Sequence, residues 1–461
     1  MTRQGSCVGP TQDADSILDR LRGLSKVISP ELIEQALLET GRGKQKTCRL
    51  SHRVMLWIVL AMGVLTHLPI RQVFKHAQRM RAGEKTPSRS NLCEGRQRLG
   101  VEPVRRVFEL VVRPLATPQT PGGFYKGLRP MGIDGTVLDV PDTPANDAHF
   151  GRSSGGRGDS AFPQVRKVSL VELGTHMEVA MAIGGWHDSE QKLVGQLFDK
   201  IPADALLIED RGFFSYEHWK TLDSRGVKLL LRVKGNMILQ PILRLPDGSY
   251  LAKIYPSPYA RDKDRGGILV RVIEYTLDDP QRTGHGQKHV LLTNLFDHEM
   301  YPALELVCQY HERWEHELMY DEQKTHQDPR RPGKPAQLRS QTPTGVEQEL
   351  YALSLGHFVV RALMLEAAKD EELDVDRLSF TGCLRILQAR LPECDSSTPI
   401  RLEQWYRLLL EEMAQERIEP RCNRVNPRVV KRKMSKWKKK RPEHRQRSSL
   451  KQPFAETVVI T

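Results

Sequence analysis

Residues 310–324 read YHERWEHELMYDEQK. The stretch holds no Pro or Gly, so it can continue as one unbroken helix. Tyr310, Arg313, Glu317 and Lys324 follow one another at steps of three, four and seven residues. At about 100° per residue, such steps keep all four side chains on one helix face. That face carries a phenol, a guanidinium, a carboxylate and an ammonium. It is unsuited to an apolar core and suits a metal ion and a phosphate backbone. An exposed helix with charge pairs four residues apart is the plainer account of the same residues. Acidic residues upstream, in settings that need explaining, are what separate the two.

The chain has 461 residues, more than one core supports, so roughly two to four domains are expected. Charged residues make up 28% and apolar ones 39%, and no apolar run reaches the roughly 18 residues that span a membrane. The longest candidate, residues 54–65, suits a buried helix. The first residues lack an apolar signal segment, so a cytoplasmic protein is expected. Seven cysteines are scattered without a CxxC pair, which points away from a zinc site or a disulfide framework.

The net charge of +13 is localised. Residues 421–451 hold 14 Lys and Arg against one acid, Glu443, so the rest of the chain is neutral overall. Such a tail neutralises phosphates and releases counterions, and Trp437 within it offers a base a stacking surface. A solubilising terminus is the competing account.

Residues 1–125 read as helical. Ser29-Pro30 opens a helix through Leu38, a second starts near Ser51, and a third follows Pro69 with Arg71, Lys75 and Arg79 on its polar side. Residues 88–99 and 101–115 complete the region. Short helices with basic faces suit either a DNA-binding module or a plain bundle.

Near Pro130 the pattern changes. MGIDGTVLDV (131–140) reads as a strand with Asp134 inside it, and an unpaired carboxylate buried there would be costly. A Gly-, Ser- and Pro-rich loop covers residues 141–163. Two strands follow, then a helix capped by Asp188-Ser189. ALLIED (205–210) reads as a buried parallel strand ending at Asp210. A helix over 215–225 leads to the strand KLLLRVKG (228–235). Three strands, helix, strand, helix, strand is the ribonuclease H-like order, in which the first strand lies beside the fourth. Asp134 and Asp210 are then expected to converge, with a divalent cation relieving their repulsion. Asp139, Asp142 and Asp147 compete for the first role and Glu209 for the second. Asp139 and Glu209 fall on the opposite strand faces, and Asp142 and Asp147 lie in loop sequence. The spacings of His187, His218 and His326 fit no ligand pattern.

The spacing Y-x2-R-x3-E-x6-K resembles the signature of the insertion sequence 4 family of DDE transposases at all four positions. GIDGT around Asp134, DTPAN (142–146) and EDRGFFS around Asp210 are similar to that family's aspartate motifs, and the likeness spans roughly residues 90–365. The resemblance implies an α/β, ribonuclease H-like catalytic core with a β-rich insertion, flanked by helical N- and C-terminal regions. The expected division is a DNA-binding region at 1–125, core segments at 126–238 and 298–375, an insertion at 239–297, a helical region at 376–420 and a basic tail at 421–461.

The resemblance further implies a transposase that cuts the ends of its element and joins the freed 3′-hydroxyl to target DNA by two-metal phosphoryl transfer. Asp134, Asp210 and Glu317 would be catalytic and hold two Mg²⁺ ions, with Mn²⁺ able to substitute. Tyr310, Arg313 and Lys324 would contact DNA. The partners implied are the element's terminal repeats, target DNA and a second copy in a synaptic homodimer, in a bacterial cytoplasm at the nucleoid. Relatives that form hairpins hold a flipped base on an aromatic of the insertion. No Trp lies between Trp219 and Trp314, and Tyr250, Tyr255, Tyr259 and Tyr275 stay open for that place. A hydrolytic nuclease on the same fold, or a non-catalytic DNA-binding descendant, are the alternatives.

Overall fold

Ser29, Ser51 and Ser88 each accept a hydrogen bond from the backbone N–H three residues on, and a helix begins after each. These are α1 (Pro30–Glu39), α2 (His52–Val64) and α4 (Arg89–Leu99), with α3 (Ile70–Ala77) between and α5 (Glu102–Val111) following. They belong to a computed structural model that describes residues 19–43, 48–78, 85–155, 158–280, 284–327, 338–419 and 453–460. The basic stretch 421–451, with Trp437, and Arg79 lie outside the described residues. α5 ends at Val111 instead of continuing to residue 115. Pro114 disfavours helical backbone at the residue before it.

The central part contains β1 (Arg129–Asp139), α6 (Pro144–Phe150), β2 (Ser154–Gly155), β3 (Gly158–Asp159), β4 (Gln164–Glu172) and β5 (Met177–Gly185). α6 stands where a loop was expected. Thr143 caps it and Pro144 opens its first turn, a signal already present in DTPAN. Then come α7 (Glu190–Gly195), β6 (Ala205–Glu209), α8 (Tyr216–Ser224), β7 (Lys228–Val233), β8 (Leu243–Arg244), β9 (Tyr250–Ile254), α9 (Pro258–Asp262), β10 (Ile268–Leu277) and β11 (His289–Thr293).

The signature stretch is not one helix. It divides into α10 (Ala303–His311), a turn, α11 (Trp314–Asp321) and a π turn over Glu322–His326. At Glu312 and Arg313 the N–H groups reach carbonyls three residues back, at 3.1 and 3.2 Å, which tightens and ends the α ladder. At Gln327 the N–H reaches back five residues to Glu322, at 2.7 Å, which widens it. Lack of Pro and Gly permits an unbroken helix without enforcing one. The four signature residues therefore lie on separate elements: Tyr310 on α10, Arg313 in the turn, Glu317 on α11 and Lys324 in the π turn. α12 (Pro343–Asp370), α13 (Phe380–Arg390), α14 (Pro399–Met413) and β12 (Val458–Ile460) complete the chain.

Two units can be described separately. The first comprises Met1–Gly123, Asp134–Lys200 and Glu315–Ile418. Its core packs α2 against α12, with α5, α13 and α14 around them. Gly63 and Gly356 lie at that crossing, where a Cβ on Gly63 would stand 1.8 Å from the Ala352 carbonyl oxygen. α12 is long and apolar enough to cross a membrane, and it is mostly buried as the core helix of this unit. Its strands run in the order β5-β4-β1, with β4 and β5 antiparallel.

The second unit comprises Phe124–Ile133, Ile201–Trp314 and Glu419–Thr461. Its sheet continues from β1 in the order β6-β7-β11-β10-β9-β8. β1 and β6 are parallel and paired from Arg129↔Ala205 to Ile133↔Glu209, so the first strand lies beside the fourth of the core order. β8 to β11 extend this sheet antiparallel from β7.

Candidate active site

In the second unit, the carboxylate of Asp210 follows the last residue of β6. Its Oδ1 accepts from the Arg211 N–H at 2.8 Å and from the Tyr310 hydroxyl at 3.3 Å. Burial pushes this carboxyl up. The Arg313 charge, the Arg211 N–H, the Arg232 charge and the Tyr310 hydroxyl outweigh that and hold it below the usual range. Burial pushes the Tyr310 phenol up to about 12, so it stays a donor. Arg313 is buried and lies against the Trp314 ring. Asp210, Tyr310 and Arg313 thus form one electrostatic group.

In the first unit, Asp134 lies on β1, half-buried, with its Oδ1 on the Gly135 N–H. The buried Tyr320 of α11 donates its hydroxyl to the Asp134 carbonyl at 2.8 Å. Glu317 is half-buried one helical turn earlier on α11, on the same side as Tyr320. Lys324, in the π turn, donates to Thr136 Oγ1 at 2.7 Å. Thr136 is two residues from Asp134, hence on the same strand face. Burial and the Lys167 charge lower the Lys324 pKa, while Asp139 and Asp321 oppose them.

The competing acids have other partners. Asp142 and Asp147 both pair with Arg152 at 2.6 Å. Asp139 accepts from Gln164. Glu209 is fully buried against His218 Nε2 at 2.7 Å. His326 pairs with Asp321 and His187 is exposed. Of the four insertion tyrosines, Tyr250 and Tyr275 are buried, Tyr255 hydrogen-bonds Asp264, and Tyr259 is exposed.

Sequence reasoning missed Tyr320, Thr136 and Arg232, although each lies inside a stretch it singled out. It also missed a charged cluster in the first unit, the buried His176, Glu322 and Arg361 with the half-buried Glu315 and Asp376. His176, Glu315 and Asp376 place ligand atoms within 4.8 Å of one another. Both imidazole nitrogens face carboxylates, Nε2 that of Glu315 and Nδ1 that of Glu322 at 3.4 Å, which makes this an ion-pair cluster.

The family description "Insertion element 4 transposase N-terminal" matches residues 18–109, and "Transposase DDE domain" matches residues 128–330. The transposase InsG of insertion sequence element IS4, from Escherichia coli (strain K12), is 31% identical over 429 residues, covering 92% of this chain and 95% of that one. The chain belongs to the insertion sequence 4 family of DDE transposases. The putative transposase InsZ of the same organism is 25% identical over 42% of this chain and 65% of its own. The solved piggyBac transposase synaptic complex with hairpin DNA aligns over 88% of each chain at 13% identity and a TM-score of 0.40. As a member of this family the protein has an α/β, ribonuclease H-like catalytic core. It is an insertion-sequence transposase, a metal-dependent enzyme that binds, cuts and joins DNA.

Proposed function

We propose that Asp134, Asp210 and Glu317 hold the divalent ions of this transposase, Mg²⁺ with Mn²⁺ able to substitute. The observation that carries the reading is the Tyr320 hydroxyl on the Asp134 carbonyl. It ties α11, with Glu317 one turn earlier, to the strand that bears Asp134. Asp210 is included on the likeness of EDRGFFS to the family's second aspartate motif and on the charge that Arg313 and Tyr310 keep on its carboxylate. Three carboxylates, one of them held ionised, are the hard oxygen donors that Mg²⁺ and Mn²⁺ prefer. Such ions, when bound, acidify the attacking water or 3′-hydroxyl and stabilise the leaving oxygen.

Tyr310 and Arg313 keep Asp210 charged, and on the family signature they also contact DNA beside the scissile phosphate. Lys324 supplies a point charge there, directed by Thr136 along the Asp134 face. The helices of residues 1–125 read the element's terminal repeats, and residues 421–451 hold phosphates without sequence preference. Joining two ends calls for a homodimer in the synaptic complex. The protein acts in the bacterial cytoplasm at the nucleoid.

The test incubates the protein with a labelled terminal-repeat duplex and a target plasmid, in Mg²⁺, Mn²⁺ or EDTA, beside Glu317→Ala. Metal-dependent cleavage and joining, both lost in the variant, is the expected result. Undiminished joining by Glu317→Ala would remove Glu317 from the ligand set.

A further inference from the structure

The π turn that carries Lys324 is held from beneath by charges the reaction itself does not use. Glu322 opens the turn and is buried, with both carboxylate oxygens occupied. Arg361 of α12, also buried, donates Nε to Glu322 Oε2 at 2.9 Å and Nη2 to Oε1, a bidentate fork. His357, one turn earlier on α12, reaches Oε2 at 2.9 Å, and His176 faces Oε1. Burial alone would push the Glu322 carboxyl up. Arg361, with His176 and His357, holds it well below the ordinary range.

Two further struts flank Lys324. Gln323 donates to Glu178 at 2.9 Å and accepts from the buried Lys167 at 2.8 Å. Gln327 donates to the carbonyls of Gly63 and Leu353 at 2.7 and 2.8 Å. A π turn gives up the regular α ladder, so it persists where side-chain anchors fix it. Relaxing the turn to α geometry would rotate Lys324 about the helix axis, away from Thr136.

We infer that Arg361 is a positioning residue for Lys324, acting through Glu322 to keep the π turn that aims Lys324 along the Asp134 face of β1. The inference rests on the reading of Lys324 as a DNA contact. Arg361 touches neither substrate nor reacting atoms in this scheme. Its effect is to be seen only through Lys324.

The experiment is a double-mutant cycle on single-turnover cleavage of the terminal-repeat duplex in Mg²⁺. It combines Lys324→Ala with Glu322→Gln and with Arg361→Gln, below the melting temperature of every variant. Glu322→Gln keeps the side chain's shape and one of its two acceptor oxygens, and leaves Arg361 with Asp376 at 4.0 Å, so it retains the test if Arg361→Gln, which strands a buried carboxylate, does not fold. The expected result is a loss of about tenfold for either variant alone and of less than about twofold in the Lys324→Ala background. Arg361→Lys, with charge but no fork, is expected between wild type and Arg361→Gln.

Losses that multiply with that of Lys324→Ala would overturn the inference. So would a lower melting temperature with an unchanged cleavage rate, which would leave the pair a folding element only. If Lys324→Ala alone leaves cleavage and duplex affinity intact, the DNA-contact reading fails first, and this is distinguishable because the single variant reports it.

Discussion

Asp210 is charged because of what surrounds it, and its neighbours carry testable weight. Arg313 is its main counter-charge and Tyr310 a donor to its carboxylate. Replacing Arg313 by Ala is expected to cut the single-turnover cleavage rate by about 100-fold, whereas Tyr310→Phe, which removes one hydrogen bond, is expected to cost about tenfold or less. Equal losses for the two would contradict that ranking. His176 gives a second prediction at this scale. Burial and Arg361 push its pKa down, but Asp376, Glu315 and Glu322 push harder, and it rises to about 9. Its folded pKa exceeds its unfolded value, so the protonated ring stabilises the fold fully below about pH 6.5. That contribution is lost as pH rises through about 9, at a cost on the order of a few kcal/mol. The denaturant midpoint should therefore fall between those values, and fall less in His176→Asn. Asn tolerates the positive φ of this position, and an unchanged slope in the variant would remove His176 as the cause.

Among the elements, the α2–α12 crossing packs backbone against backbone at Gly63 and Gly356. A Cβ on Gly356 would stand 2.4 Å from backbone atoms of Gly63, and backbone cannot yield as a flexible side chain can. Gly356→Ala is expected to destabilise by at least about 1–3 kcal/mol, read by urea unfolding. Gly195→Ala, where a Cβ meets nothing within 4 Å, is the control and should lie within about 0.5 kcal/mol of wild type. Close packing of the two makes each element depend on the other, although each was legible locally. Ser51 announces the start of α2, and an unbroken apolar run marks its burial. The division of the signature helix was not legible in this way. Nothing in the residues around Arg313 or Glu322 breaks a helix. The π turn depends on Arg361, 39 residues further along the chain, and on His176, 146 residues back.

For the whole molecule, the basic excess of residues 421–451 predicts salt-dependent affinity for DNA. Replacing Lys438, Lys439 and Lys440 by Gln should lower the slope of log affinity against log salt by up to about three and leave repeat preference unchanged. An unchanged slope would exclude these lysines from phosphate contact. The sequence by itself determined the family and the order of the core strands and the helices between them, apart from α6, which it read as loop. Alternation, caps and short motifs are read from neighbouring residues, and local sterics enforce them. Only the tertiary structure decided that the signature residues leave a single helix, that Asp142, Asp147 and Glu209 are occupied by Arg152 and His218, and that Tyr320 ties α11 to the Asp134 strand. Those outcomes depend on which distant side chains satisfy each buried charge and hydrogen bond, and the spacing of residues along the chain does not encode such pairings.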